Sequence, residues 1–178
     1  MKKKSFIMAL ALVLVFAVAV GGVVAWLTDK TAPVKNTFTV GDINIKLEET
    51  TTAYKMVPGN NIAKNPTVTV KAGSEACWLF VEVEKSANFD NFMTYAMAGG
   101  WTALDGQNGV YYREVDATTA DTSFAVLKDN QVTVKDTVTK TQLEAVKTAG
   151  QPTLTFTAYA VQKDNMKDVA TAWAEATK

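Results

Sequence analysis

Past Gly41 the chain consists of short runs in which apolar and polar residues take turns. This period of two limits the fold more than any other feature. Ile43, Ile45 and Leu47 alternate with Asn44, Lys46 and Glu48, and Thr67-Val68-Thr69-Val70-Lys71 repeats the pattern. Cys77, Leu79, Val81 and Val83 fall on one side of a third run, with Trp78, Phe80, Glu82 and Glu84 on the other. Residues 110–115, 123–127, 131–134 and 153–161 complete the set, the last with Leu154, Phe156, Ala158 and Ala160 on one side. Successive side chains of a strand point to opposite faces, so each run offers one apolar face to a core. The breaks between runs are turn chemistry. Pro58-Gly59 fits the central pair of a type II turn, Ala72-Gly73-Ser74 separates two runs, Asp105 to Gly109 reads as a hairpin loop and Asp129-Asn130 as a tight turn. Strands at this spacing without long intervening helices predict an all-β, antiparallel sandwich.

Three patches carry a helical period instead. Residues 88–97 hold Phe89, Phe92, Met93 and Ala96 at 3,4 spacing. Residues 139–149 hold Leu143, Val146 and Lys147, with Thr141 and Glu144 in capping-box relation. Residues 164–176 place Met166, Val169, Ala170 and Trp173 on one stripe, with Asp164 suited to the start of the helix. Short helices of this kind cover sheet edges or the open ends of a sandwich.

The first forty residues obey different rules. Lys2, Lys3 and Lys4 precede an uncharged apolar run from Phe6, broken by Gly21-Gly22 and followed by Val23-Val24-Ala25. A basic start, an apolar stretch and small residues before a junction form an export signal, with cleavage expected between Ala25 and Trp26. The alternative is retention as a membrane anchor, since residues 6–27 carry no charge and are long enough to cross a hydrocarbon core. On either reading the basic end stays inside and residues from Trp26 onward face out. Cleavage leaves a single domain of 153 residues in which 15 basic side chains meet 18 acidic ones, a net charge of −3. Nothing in that balance attracts nucleic acid. Cys77 is the one cysteine, so no intrachain disulfide forms, which fits a Gram-positive envelope.

Histidine is absent from the whole chain, which removes the commonest zinc ligand and the usual general base. Asp116 with Asp121, and Asp164 with Asp168, are the nearest approach to a cation site, and neither has the ligand spacing of a calcium loop. They read as surface charges. Cys77 shares a face with Leu79, Val81 and Val83 and reads as buried and inert. Lys85 and Ser86 are adjacent on a strand and therefore diverge, so the lysine does not serve the serine as base. Trp101, Tyr111 and Tyr112 flank the expected hairpin, where they fill the core and cover an edge rather than form a glycan platform. No catalytic, cofactor or metal residue is assigned.

Gly21-Gly22, then Ala25-Trp26-Leu27-Thr28-Asp29, then Asn36-Thr37-Phe38-Thr39 with Gly41 and a run ending at Leu47, followed by Pro58-Gly59, Asn65 and Val68, resemble the TasA/camelysin family. Its members are exported with a signal peptide of the SipW-dependent type, cut by a dedicated signal peptidase, and include fibre proteins of the biofilm matrix. The resemblance covers about the first 85 residues. It implies a jelly-roll-like β-sandwich with peripheral helices, secretion, and assembly into fibres through an N-terminal strand donated to a neighbour. That strand maps onto the segment 26–40, with Trp26, Leu27, Val34, Phe38 and Val40 as its apolar contacts. A metalloprotease label carried by some relatives is not transferred, because the H-E-x-x-H pair is missing.

The expected organisation is thus a signal peptide over residues 1–25, led by a hydrophobic helix, an extended segment over 26–40 and a β-sandwich over 41–178 ending in the helix 164–176. The expected role is a secreted structural protein of the cell surface or biofilm matrix. Its partners are further copies of itself or a related matrix protein, with a signal peptidase during export. The alternative is a monomeric surface adhesin or glycan-binding module, and an exported enzyme ranks below both.

Overall fold

The chain divides between Gly41 and Asp42 into two units. The computed structural model describes residues 43–49 and 55–178, all within the second unit. The expected signal peptide and its helix, the Ala25–Trp26 junction and the donor residues Trp26, Leu27, Val34, Phe38 and Val40 lie outside the described residues.

The second unit is mostly strand, in three antiparallel sheets with a few short helices. The strands are β1 (Ile45–Glu48), β2 (Asn61–Ala63), β3 (Thr67–Val70), β4 (Cys77–Lys85), β5 (Met93–Thr94), β6 (Thr102–Ala103), β7 (Val110–Val115), β8 (Thr122–Ala125), β9 (Gln131–Val134) and β10 (Leu154–Gln162). The helices are α1 (Phe89–Phe92), α2 (Lys140–Ala149) and α3 (Val169–Ala176). The sheets run β1-β3-β8, β10-β4-β7-β6 and β2-β9-β5. Among the described residues no helix is long and apolar enough to cross a membrane.

The period of two builds the central core. Val68 and Val70 of the first sheet meet Cys77, Leu79, Val81 and Val83 of β4, with Phe156, Ala158 and Ala160 of β10 packed alongside. These two sheets therefore lie face to face. The other face of β4 is covered as well. Phe80 is fully buried under Trp173 of α3, ring centroids 5.3 Å apart, and Tyr159 meets the same indole edge-on at 5.2 Å. A third cluster joins Phe89, Phe92, Met93, Val132, Val134, Val138 and Val146, so the small β2-β9-β5 sheet is backed by α1 and α2.

The expected turns form at Pro58-Gly59, where the Asn60 N–H donates to the Val57 carbonyl at 3.1 Å and Gly59 takes φ 76°, and at Asp105 to Gly109 between β6 and β7. Asp129 and Asn130 adopt φ 55° and 51°, a tight turn that carries the chain from β8 to β9 in a different sheet.

The helical readings need correction. The period over 88–97 yields only the single turn of α1. At Met93 the backbone turns extended, and Met93 pairs with Val134 while the Phe92 carbonyl accepts from the Lys135 N–H. Asn88, Asp90 and Asn91 are weak helix formers, and strand pairing takes over. In α2 the cap is Thr139 with Gln142, not Thr141 with Glu144. Val138 before the cap and Leu143 at the fourth helical position join one apolar cluster, a hydrophobic staple that selects the earlier box. The last helix starts at Val169 with Asp168 as its cap, not at Asp164, because Asn165 takes φ 66° and no helix continues through it. Its buried stripe uses Ala172 in place of Ala170, which is exposed.

Candidate functional site

Among the described residues, three strands that each pair on one side only come together in one place. β1 ends its sheet, β2 ends the small sheet and β10 ends the four-stranded sheet. Where Leu47 and Glu48 of β1, Ile62 of β2 and Leu154 to Phe156 of β10 come together they line a cleft of about 890 Å³. Met56, Pro66, Phe89, Met93 and Val132 add to its apolar wall. An edge strand offers unpaired backbone donors and acceptors, so such a cleft can satisfy an incoming strand by backbone bonding and by burial of its apolar side chains.

The orientation of β10 follows from its pairing. Thr153 accepts from the Ser86 N–H, and the Lys163 N–H donates to the Ala76 carbonyl. In the antiparallel register of Leu154↔Lys85 through Gln162↔Cys77, odd-numbered residues of β10 therefore bond to β4. The N–H and C=O groups of Leu154, Phe156, Ala158 and Ala160 point away from β4, to the edge that pairs with no other strand among the described residues, while their side chains enter the core.

One charged pair is set into the cleft wall. Lys64 Nζ donates to both carboxylate oxygens of Glu49, at 2.7 and 2.9 Å, and lies 5.3 Å from the centroid of the Phe156 ring. The side chains are 11% and 16% exposed, so the pair is largely out of water. Sequence reasoning missed it. Lys64 follows Ile62 and Ala63 with no motif, and its burial comes from the convergence of edges that only the fold creates.

The residues weighed for chemistry are dispersed. Cys77 is fully buried and its thiol is pushed up to about 11 by burial, so thiolate chemistry is suppressed. Asp121 accepts from Lys71 Nζ at 2.5 Å and from the Ala72 N–H at 3.0 Å, which together hold its carboxyl below the usual range. Asp168 is held down by the Thr171 N–H that it caps at 2.8 Å. Asp164 is exposed at the turn before α3, and Asp116 is exposed after β7. Among the described residues no three acidic or cysteine side chains gather as a metal site. Lys85 pairs with Asp90 and Ser86 bonds Asn88, so those neighbours diverge as expected. Tyr111 packs against the core between the sheets and Tyr112 against the α3 side, so the two tyrosines share no surface. Trp101 packs at the central core, where its Nε1 donates to the Ala125 carbonyl of β8 at 2.8 Å, tying the two facing sheets together on the side away from the cleft.

Searches against protein-family models, curated proteins and solved structures return no match for this chain.

Proposed function

We propose that the protein is an exported structural component of the cell surface or biofilm matrix, polymerising when the N-terminal segment of one copy enters the cleft of the next. The observation that carries this reading is the convergence on one apolar cleft of three strands that each end their sheet among the described residues. The other side of the facing sheets, at β6 and β8, is tied by Trp101. The two sides thus differ: one opens into the cleft and the other is bridged by the indole. The segment 26–40 supplies what the cleft takes: spaced apolar residues Trp26, Leu27, Val34, Phe38 and Val40, with Pro33 limiting continuous pairing to the stretch after it. Donor and acceptor are different surfaces of the same chain, so the contact is head-to-tail and builds open filaments.

The finer architecture in this reading is a jelly-roll-like sandwich. Its support is the connectivity: only β6 and β7 are consecutive strands paired as neighbours, and the other connections cross between sheets. The reading is structural rather than enzymatic, since the charged pair in the cleft wall is mutually satisfied and the apolar lining offers backbone and packing. Deletion of residues 26–36 from the secreted protein tests it by sedimentation and electron microscopy. Filaments in the parent and monomers in the truncated form are expected. Identical filaments from both, or a parent that stays monomeric at high concentration, reject strand donation and leave a solitary surface domain.

A further inference from the structure

On the side away from the cleft, Arg113 of β7 has an environment that the assembly reading does not use. Its guanidinium carbon lies 3.9 Å from the centroid of the Phe124 ring and 5.2 Å from that of Trp101. The indole is itself fixed by its bond to the Ala125 carbonyl. Gly100 completes the setting. A Cβ there would sit 2.7 Å from a terminal guanidinium nitrogen and would displace it, and at φ 86° the backbone itself favours glycine. Among the described residues no carboxylate pairs with Arg113, and its Nε is buried without an acceptor.

Contact with aromatic rings engages the π faces of a guanidinium; with Nε buried, the in-plane N–H groups of the two terminal nitrogens are left as a flat fork. That fork matches a carboxylate through two parallel hydrogen bonds. Because Trp101 and Phe124 already hold the group, little orientational freedom remains to be lost on binding. Burial lowers the pKa of the guanidinium, yet arginine stays charged throughout the physiological range.

We propose that Arg113, held by Trp101 and Phe124 beneath Gly100, is a docking point for the carboxylates of an acidic polysaccharide. A single partly exposed fork binds one carboxylate weakly. The ligand that gains most is a polymer with a carboxylate on every unit, meeting many copies of the protein in array. That avidity rests on the assembly proposed above, whereas the fork in each copy does not.

The test titrates the full secreted protein with polygalacturonate and with its methyl ester, following tryptophan fluorescence and co-sedimentation. The acid form is expected to bind, with affinity falling as salt is raised, and the ester is expected to bind at least about tenfold more weakly, a loss of 1.4 kcal/mol or more. Arg113→Gln should lose binding to a similar degree. Arg113→Lys, which keeps the charge but not the fork, should fall between the two. Equal binding of acid and ester by the parent protein overturns the proposal without any variant. So does Arg113→Gln binding like the parent. A change in the sedimentation of Arg113→Gln alone, with polymer binding intact, assigns the carboxylate to a second copy and equally overturns it. A parent that does not bind the acid form overturns the proposal whether or not it forms filaments, whereas binding by a parent that stays monomeric retains the site and rejects only the assembly reading.

Discussion

Individual side chains show how burial decides chemistry here. Cys77 has a wholly covered thiol whose pKa is raised by burial, so a thiol reagent should leave the native protein unmodified and titrate one group after denaturation. Reaction under native conditions at the denatured rate would show that β4 opens. Asp121 and Asp168 respond to acid. Both have carboxyls held below the ordinary 3.8, Asp121 by Lys71 and the Ala72 N–H, Asp168 by the Thr171 N–H. A depressed folded-state value means that the stabilisation is present above pH 3.8 and is lost as pH falls through the folded value. The melting temperature of the parent should therefore drop on acidification below that point. Asp121→Asn with Asp168→Asn should drop less steeply, since asparagine still caps a helix but does not titrate. Parallel acid limbs for the two proteins would mean that other carboxylates govern acid unfolding. Lys64 and Glu49 concern the interior instead. Removing Lys64 takes a charge-assisted partner from a largely buried carboxylate, so Lys64→Met should destabilise the fold and the double change to Met at both positions should cost distinctly less. Equal losses in chemical denaturation would show the pair to be better hydrated than its exposure implies.

Elements form where local signals and tertiary contacts agree. The strands were legible because a period of two survives in β1, β3, β4 and β10 almost residue for residue, with Phe156 and Ala158 of β10 falling on the core side as read. The 88–97 patch was misread because its 3,4 spacing of Phe89, Phe92 and Met93 also suits one helical turn followed by a strand. Only the neighbouring β9 reveals which backbone partner wins. The caps of α2 and α3 were displaced for local reasons that sequence carries faintly: two overlapping capping boxes in one case, and a left-handed asparagine in the other. The cleft and its ion pair were not legible, because they arise from edges of three different sheets. The docking of α3 gives a test at this scale. Trp173 is 8% exposed between Phe80 and Tyr159, so Trp173→Ala should destabilise by about 3–5 kcal/mol in urea unfolding. A change below about 1 kcal/mol would mean that the sheet face is stable without the helix.

At the scale of the whole molecule the two sides of the facing sheets differ, and the difference predicts where a strand can add. At β6 and β8 the indole of Trp101 ties one sheet to the other. On the opposite side β10 runs nine residues, from Leu154 to Gln162, without a charge or a proline, and among the described residues only β4 pairs with it. Lysines, prolines or bulges commonly protect such an edge from pairing with other chains, and β10 has none of these among its residues. Its outward N–H groups belong to the even-numbered residues, so the edge can be disabled at a chosen position. Ala158→Pro removes an outward donor while leaving the bonds of Thr157 and Tyr159 to β4 in place. Thr157→Pro removes a donor from the ladder opposite Glu82 and should destabilise the fold itself. In the proposed assembly Ala158→Pro should remain folded by circular dichroism, lose more filament mass than melting temperature, and still offer its own N-terminal segment to others. Mixed with the parent, it should therefore terminate filaments rather than co-polymerise without effect. Filaments of normal length from Ala158→Pro alone would show that the free edge of β10 is not where the donated strand pairs. The edge of β1 or β2 in the same cleft would then have to receive it.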